Sequence, residues 1–184
     1  MAQHPFYGLF VDLLRDLFDE ENQTLLFLPA AIQGASHQEL KTALVEHMEE
    51  TKNQLLRLKK IFKILNENPT GLICKPIQGL INQGEEAIKK NKSPAVKDAG
   101  LIIACQKIEH YEIAGYGSAR AIARHLSDAG IDDRIDFDGI ADLLQQSLDE
   151  ESAADEYLTD IAEGGFFNQG INEEAEREKT KPIS

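Results

Sequence analysis

Tryptophan is absent, cysteine occurs only as Cys74 and Cys105, and no run of about 18 apolar residues appears. The last absence excludes a transmembrane helix. Met1-Ala-Gln-His-Pro5 lacks the basic start of a secretory signal. The two cysteines lie in separate segments and read as reduced thiols of a cytoplasmic protein, not as a disulfide framework. Basic charge is scarce: 19 Lys and Arg stand against 32 Asp and Glu, a formal charge of -13. Nucleic acid and anionic membranes select the opposite sign, so both are disfavoured as partners, whereas cations are permitted. Runs of β-branched residues are few, and Ala, Leu, Glu, Lys and Gln abound, which is helical material.

Four long helices are expected. The first runs from about Pro5 to about Ile32, with Phe10, Leu13, Leu14, Leu17, Phe18, Leu25 and Leu28 as its apolar stripe. Pro29 should loosen its last turn. Ser36-His-Gln-Glu39 has the form of a capping box for the second helix, which reaches about Leu65. The short loop between them makes the pair antiparallel. Residues 66–71, with Asn66, Pro69 and Gly71, form a break, and residues 74–91 carry a short crossover helix. Ser93-Pro94 starts the third long helix, which extends to about Leu126. The fourth begins near Asp136 or Asp138 and stops before Gly164-Gly165. Residues 1–165 are therefore expected to form one helical domain, and residues 166–184 a polar, mobile tail.

Each long helix carries acid in the middle of its apolar stripe. These are Glu21 on the first, Glu50 with His47 on the second, Glu109 with Glu112 on the third, and Glu151 with Asp155 on the fourth. Residues three or four apart share a helix face. Helices of about 35–50 Å, at about 1.5 Å per residue, can bring such mid-helix groups to one level. Ionised carboxylates do not sit unpaired in an apolar core, because desolvation costs several kcal/mol or more. Two divalent ions would cancel most of the charge, and an oxygen-rich site with one imidazole suits Fe or Mn. The alternative is that these acids are solvated or salt-bridged on helix edges.

The order and spacing of Phe18-Asp-Glu-Glu21, His47-Met-Glu-Glu50-Thr51, Asp98-Ala99, Glu109-His-Tyr-Glu112-Ile-Ala-Gly-Tyr116-Gly117 and Glu150-Glu151 with Ala154-Asp155 resemble the YciE/YciF family of ferritin-like proteins. The likeness covers about residues 8 to 163. It implies an all-α, ferritin-like four-helix bundle with a long crossover between its second and third helices, a rubrerythrin-like di-iron or di-manganese site, and a homodimer. It also implies a part in bacterial stress responses, with no particular reaction. The sequence departs from the usual di-iron pattern. His47-x-x-Glu50 reverses the order of Glu-x-x-His, and the third and fourth helices offer no histidine at the ligand step, so the site is poor in nitrogen.

Several neighbours have blander readings. Glu20, Asp19 and Asp16 read as a solvated flank. His47 can orient Glu50 instead of binding metal. His110 is a flank or interface residue, Gln54 a supporting amide, Tyr116 a core residue with a satisfied hydroxyl or a hydrogen-bond partner of a ligand, and Cys105 a small buried hydrophobe. Asp155 can be an ordinary ion-pair partner. Leu9, Val11, Leu26 and Phe27 lie outside the narrow stripe of the first helix and require a second cover, either the crossover helix or a second copy of the chain. Two functions follow. One is a di-metal protein with a redox or oxidant-consuming role. The other is a non-enzymatic helical stress protein acting through assembly or partner binding, its metal site vacant. A ferritin-type iron store would need a many-subunit shell, for which no interface is legible.

Overall fold

The computed structural model describes residues 4–71, 73–90, 93–164 and 169–177. Among them the regular structure is entirely helical: α1 Pro5–Gly34, α2 Gln38–Leu65, α3 Lys75–Lys90, α4 Pro94–Asp128, α5 Phe137–Glu163 and α6 Ile171–Arg177. The helix ends follow local chemistry. Pro5 and Pro94 occupy first-turn positions, where the missing N–H costs nothing. The Ser93 hydroxyl accepts from the Val96 amide at 3.2 Å, and the Asp136 carboxylate from the Gly139 amide at 2.9 Å. Asn66 closes α2 in the left-handed region at φ 52°. Pro29 lies inside α1 and does not end it.

The α2 cap departs from the sequence reading. Its N-cap residue is His37, not Ser36, and the His37 side chain makes no capping bond. The carboxylate of Asp98, buried on α4, accepts from the Ser36 amide at 2.9 Å and the His37 amide at 2.7 Å. An anion from another helix therefore satisfies the orphan donors and complements the positive end of the α2 dipole. The capping-box pattern is local, whereas this contact spans more than 60 residues.

Helix α1 packs on α2 and α4, and α5 packs on α2 and α4, so these four elements close into a ring. Tyr7 and Phe10 at the start of α1 meet Phe137 at the start of α5. Asp98 near the start of α4 meets the start of α2. Neighbours around the ring are therefore antiparallel. Helix α3 lies against α1 and α4. Phe27 rests on α3 at Gly84, where an added Cβ would stand 2.5 Å from the ring. Gly34 similarly admits Ile88. This cover explains the burial of Phe27, and Val11 joins the core directly, while Leu9 and Leu26 remain exposed.

The expected tail is not featureless. Residues 171–177 form α6, which packs on α4 and α5 and buries Ile171 in the core. The rest of the expected tail, residues 166–168 and 178–184, lies outside the described residues. No helix among the described residues is long and apolar enough to cross a membrane.

The core consists of two apolar clusters. One joins the start of α1 and α5 to the end of α2 and α4, and the other joins the opposite ends with α3 and α6. Between them lies a buried polar layer that includes Glu20, Glu21, Thr24, His47, Thr51, Gln54, Glu109, Glu112 and Glu151. The apolar clusters exclude water on both sides, which sets the energetic terms for everything in that layer.

Candidate metal centre

The layer is built from the middle of α1, α2, α4 and α5. One ligand atom each from His47, Glu109, Glu112 and Glu151 lies within 4.8 Å of the others. His47 Nε2 stands 3.3 Å from Glu109 Oε1. Glu151 feels the charges of Glu112 and Glu109. Glu21 adjoins the group from α1, where it feels the charges of Glu112 and Glu151.

Hydroxyls hold two of these carboxylates by a single oxygen. Thr24 donates to Glu112 Oε1 at 2.9 Å, and Tyr116 donates to Glu21 Oε1. The other oxygens, Glu112 Oε2 and Glu21 Oε2, are buried without a hydrogen-bond partner, as are Glu109 Oε2 and both oxygens of Glu151. Such orphaned acceptors each cost about 1–3 kcal/mol, more when charged. Arg57 borders the layer, but its guanidinium is taken up by Glu150 and Ser147. Among the described residues no lysine or arginine hydrogen-bonds to Glu20, Glu21, Glu109, Glu112 or Glu151.

Burial is the main cause of the resulting proton affinities. It raises Glu21, Glu109 and Glu151 well above the usual carboxylate range, and mutual repulsion adds to it. Glu112 is raised to about 7, with the charge of His47 and the Thr24 bond opposing burial. Burial by itself would push His47 down, but Glu50, Glu151 and Glu112 outweigh it and hold the imidazole above its ordinary value. The layer therefore favours protonated carboxyls. Its donor set of carboxylate oxygens with one imidazole nitrogen, several of them unpaired, fits divalent Fe or Mn.

Two of the residues singled out by spacing stand apart. Glu50 is half exposed, with Oε2 3.7 Å from His47 Nδ1. It lines a cavity of about 230 Å³ between α2 and α5 that reaches inward to His47 and Glu109. Asp155 Oδ1 lies 3.2 Å from Nδ1 of the exposed His110, yet that oxygen is buried without a hydrogen-bond partner, and the carboxylate adds to the repulsion on Glu109. Gln54 lies inside the layer and donates to Glu150 at 3.2 Å.

Glu20 overturns its reading as a solvated residue. It is 1 % exposed, and burial followed by repulsion from Glu112 raises its pKa to about 9. The loop before α3 and α4 cover that side of α1, through Cys74 and Gly115. Thr24, which donates to Glu112, is a further member of the layer beyond the residues that spacing singles out. The available signal was its position one turn after Glu20 and Glu21 on the same face.

A family model described as "Domain of unknown function (DUF892)" matches residues 6–176. Protein YciF of Escherichia coli strain K12 is 33% identical over 163 residues, covering 88% of this chain and 93% of that protein. The crystal structure of the E. coli stress protein YciF superposes with a TM-score of 0.80 at 30% identity, over 97% of this chain and 100% of the other. The structure of YcfI from Rhodopseudomonas palustris superposes with a TM-score of 0.79 at 34% identity, over 88% of this chain and 98% of that one.

Proposed function

The chain belongs to the DUF892 family, with YciF of E. coli among its relatives, and from that premise we propose that it is a ferritin-like four-helix bundle holding a di-metal carboxylate centre. The ring of α1, α2, α4 and α5 is the bundle, and α3 is carried on its crossover. Glu21, His47, Glu109, Glu112 and Glu151 hold the ions, which are Fe or Mn. Glu50 serves the cavity mouth, and Asp155 the flank.

The observation that carries this reading is the set of buried carboxylate oxygens without a hydrogen-bond partner, for which His47 is the one basic neighbour among the described residues of the cluster. Bound Fe or Mn ions held by these residues would supply one-electron redox steps without an organic cofactor. The protein's own part is to hold Glu21 and Glu112 in place through Tyr116 and Thr24, to exclude water with the two apolar clusters, and to admit a small oxidant through the cavity between α2 and α5. One relative is described as a stress protein, and consumption of an oxidant is in keeping with that. Leu9 and Leu26, exposed on α1, belong to a homodimer contact in this reading.

The competing function is a non-enzymatic stress protein whose polar layer is neutralised by protons alone. The raised carboxyl pKa values favour it in the absence of metal. Anaerobic addition of Fe(II) or Mn(II), followed by desalting and elemental analysis, separates the two. The di-metal reading expects about one or two ions per chain. A zero that persists for both metals discards it.

A further inference from the structure

Cys74 lies outside the central cluster, at the end of the loop leading into α3. It is buried, with Sγ 3.4 Å from Glu20 Oε1 and 3.6 Å from the Tyr111 hydroxyl. Asp16 sits one turn before Glu20 on α1, and one ligand atom from each of Asp16, Glu20 and Cys74 lies within 4.8 Å of the other two. The cysteine is held there by its backbone. Its amide donates to Asp19 Oδ2 at 2.8 Å, and the Gln23 side chain donates to the Cys74 carbonyl at 3.0 Å and to Asp19 Oδ2 at 2.6 Å. The sulfur is therefore fixed against α1 and not merely packed nearby.

A second observation points to a ligand. Glu20 is almost wholly buried, yet its Oε2 has no hydrogen-bond partner while Oε1 is turned to the thiol. Among the described residues no lysine or arginine hydrogen-bonds to any member of the trio. We propose that Asp16, Glu20 and Cys74 form a second divalent-cation site, distinct from the central one, for a borderline ion of the Zn²⁺ or Fe²⁺ class. A thiolate with two carboxylates suits such an ion and disfavours Mg²⁺ or Ca²⁺, which want oxygen alone. On binding, the thiol proton leaves to solvent and the sulfur becomes a thiolate ligand. Tyr111 then faces the sulfur as a hydrogen-bond donor.

Sulfur distinguishes this site from the central cluster, whose donors are oxygen and nitrogen. The experiment loads the full-length, reduced chain with Zn²⁺ for X-ray absorption, and with Co²⁺ for electronic absorption. The expected result is metal–sulfur scattering at about 2.3 Å, with a thiolate-to-Co²⁺ charge-transfer band saturating at about one equivalent. Both signals should vanish in Cys74→Ser and persist in Cys105→Ser and in Glu109→Gln. Absence of sulfur scattering in the unaltered protein overturns the proposal without any need for a variant. So does a band that survives Cys74→Ser, or one that is lost in Cys105→Ser while that variant keeps its helical circular dichroism.

Discussion

The Tyr116 hydroxyl on α4 donates to Oε1 of Glu21 on α1, leaving Oε2 of the same carboxylate buried and bare. Thr24 treats Glu112 in the same way. A hydroxyl thus fixes the orientation of each acid while one lone-pair face stays open. Outer partners of this kind tune ligands without touching the ion.

Tyr116→Phe tests that role. The aromatic ring and its packing remain, and only the hydroxyl is lost. Metal affinity should fall by about 10- to 100-fold, the range seen for outer-partner losses. Competition titration with a chromophoric chelator measures it, and circular dichroism should show an unchanged helix content.

Glu151→Gln and Glu50→Gln should behave differently. Glu151 is fully buried with both oxygens unpaired, and burial keeps its carboxyl protonated without metal, so Glu151→Gln should leave metal-free stability near neutral pH little changed, lessen its decline at high pH, and sharply weaken metal binding. Glu50 stands at the cavity between α2 and α5. Its loss should slow metal association by about 2- to 10-fold at low salt, with little change in equilibrium affinity. Denaturant titration and stopped-flow mixing separate the two effects.

Metal-free stability should fall as pH rises. Burial first, and repulsion second, raise the folded-state pKa of Glu20 to about 9. Burial also raises Glu112, to about 7, against the opposing charge of His47. A group raised on folding contributes stability that is fully present below its unfolded value, near 4.5 for these carboxyls, and is lost as pH climbs through the folded value. The decline should therefore run from about pH 5 to about pH 9 and flatten when saturating metal replaces the protons. Urea midpoints across that range, with and without Mn(II), measure it.

Asp98→Ala should destabilise the fold by about 2 kcal/mol, because two amides at the start of α2 lose a charged acceptor. Thermal unfolding measures the loss. Metal stoichiometry at saturation should not change, since Asp98 lies at the end of the helices and not in the polar layer.

The helices and the depth of Glu21, Glu109, Glu112 and Glu151 were legible because both follow from 3.6-residue periodicity. What the pattern could not supply was cover from distant chain. Glu20 is one position from Glu21 and reads as a flank until Cys74, 54 residues on, closes over it. Ser36 has the local form of a cap, yet Asp98 takes its place across more than 60 residues. Asp155 shares the α5 stripe in sequence but lies one turn beyond Glu151, where the exposed His110 meets it. Ile171 gave no periodic signal in so short a segment, and its burial depends on the surface that α4 and α5 present.

The most direct measurement is an anomalous difference map from crystals grown with Mn(II) or, anaerobically, Fe(II). The account predicts metal peaks between the four long helices, within bonding distance of His47, Glu109, Glu112 and Glu151, with Glu21 completing the shell. A map with no anomalous density there, and only waters or paired carboxylic acids in the polar layer, would contradict it.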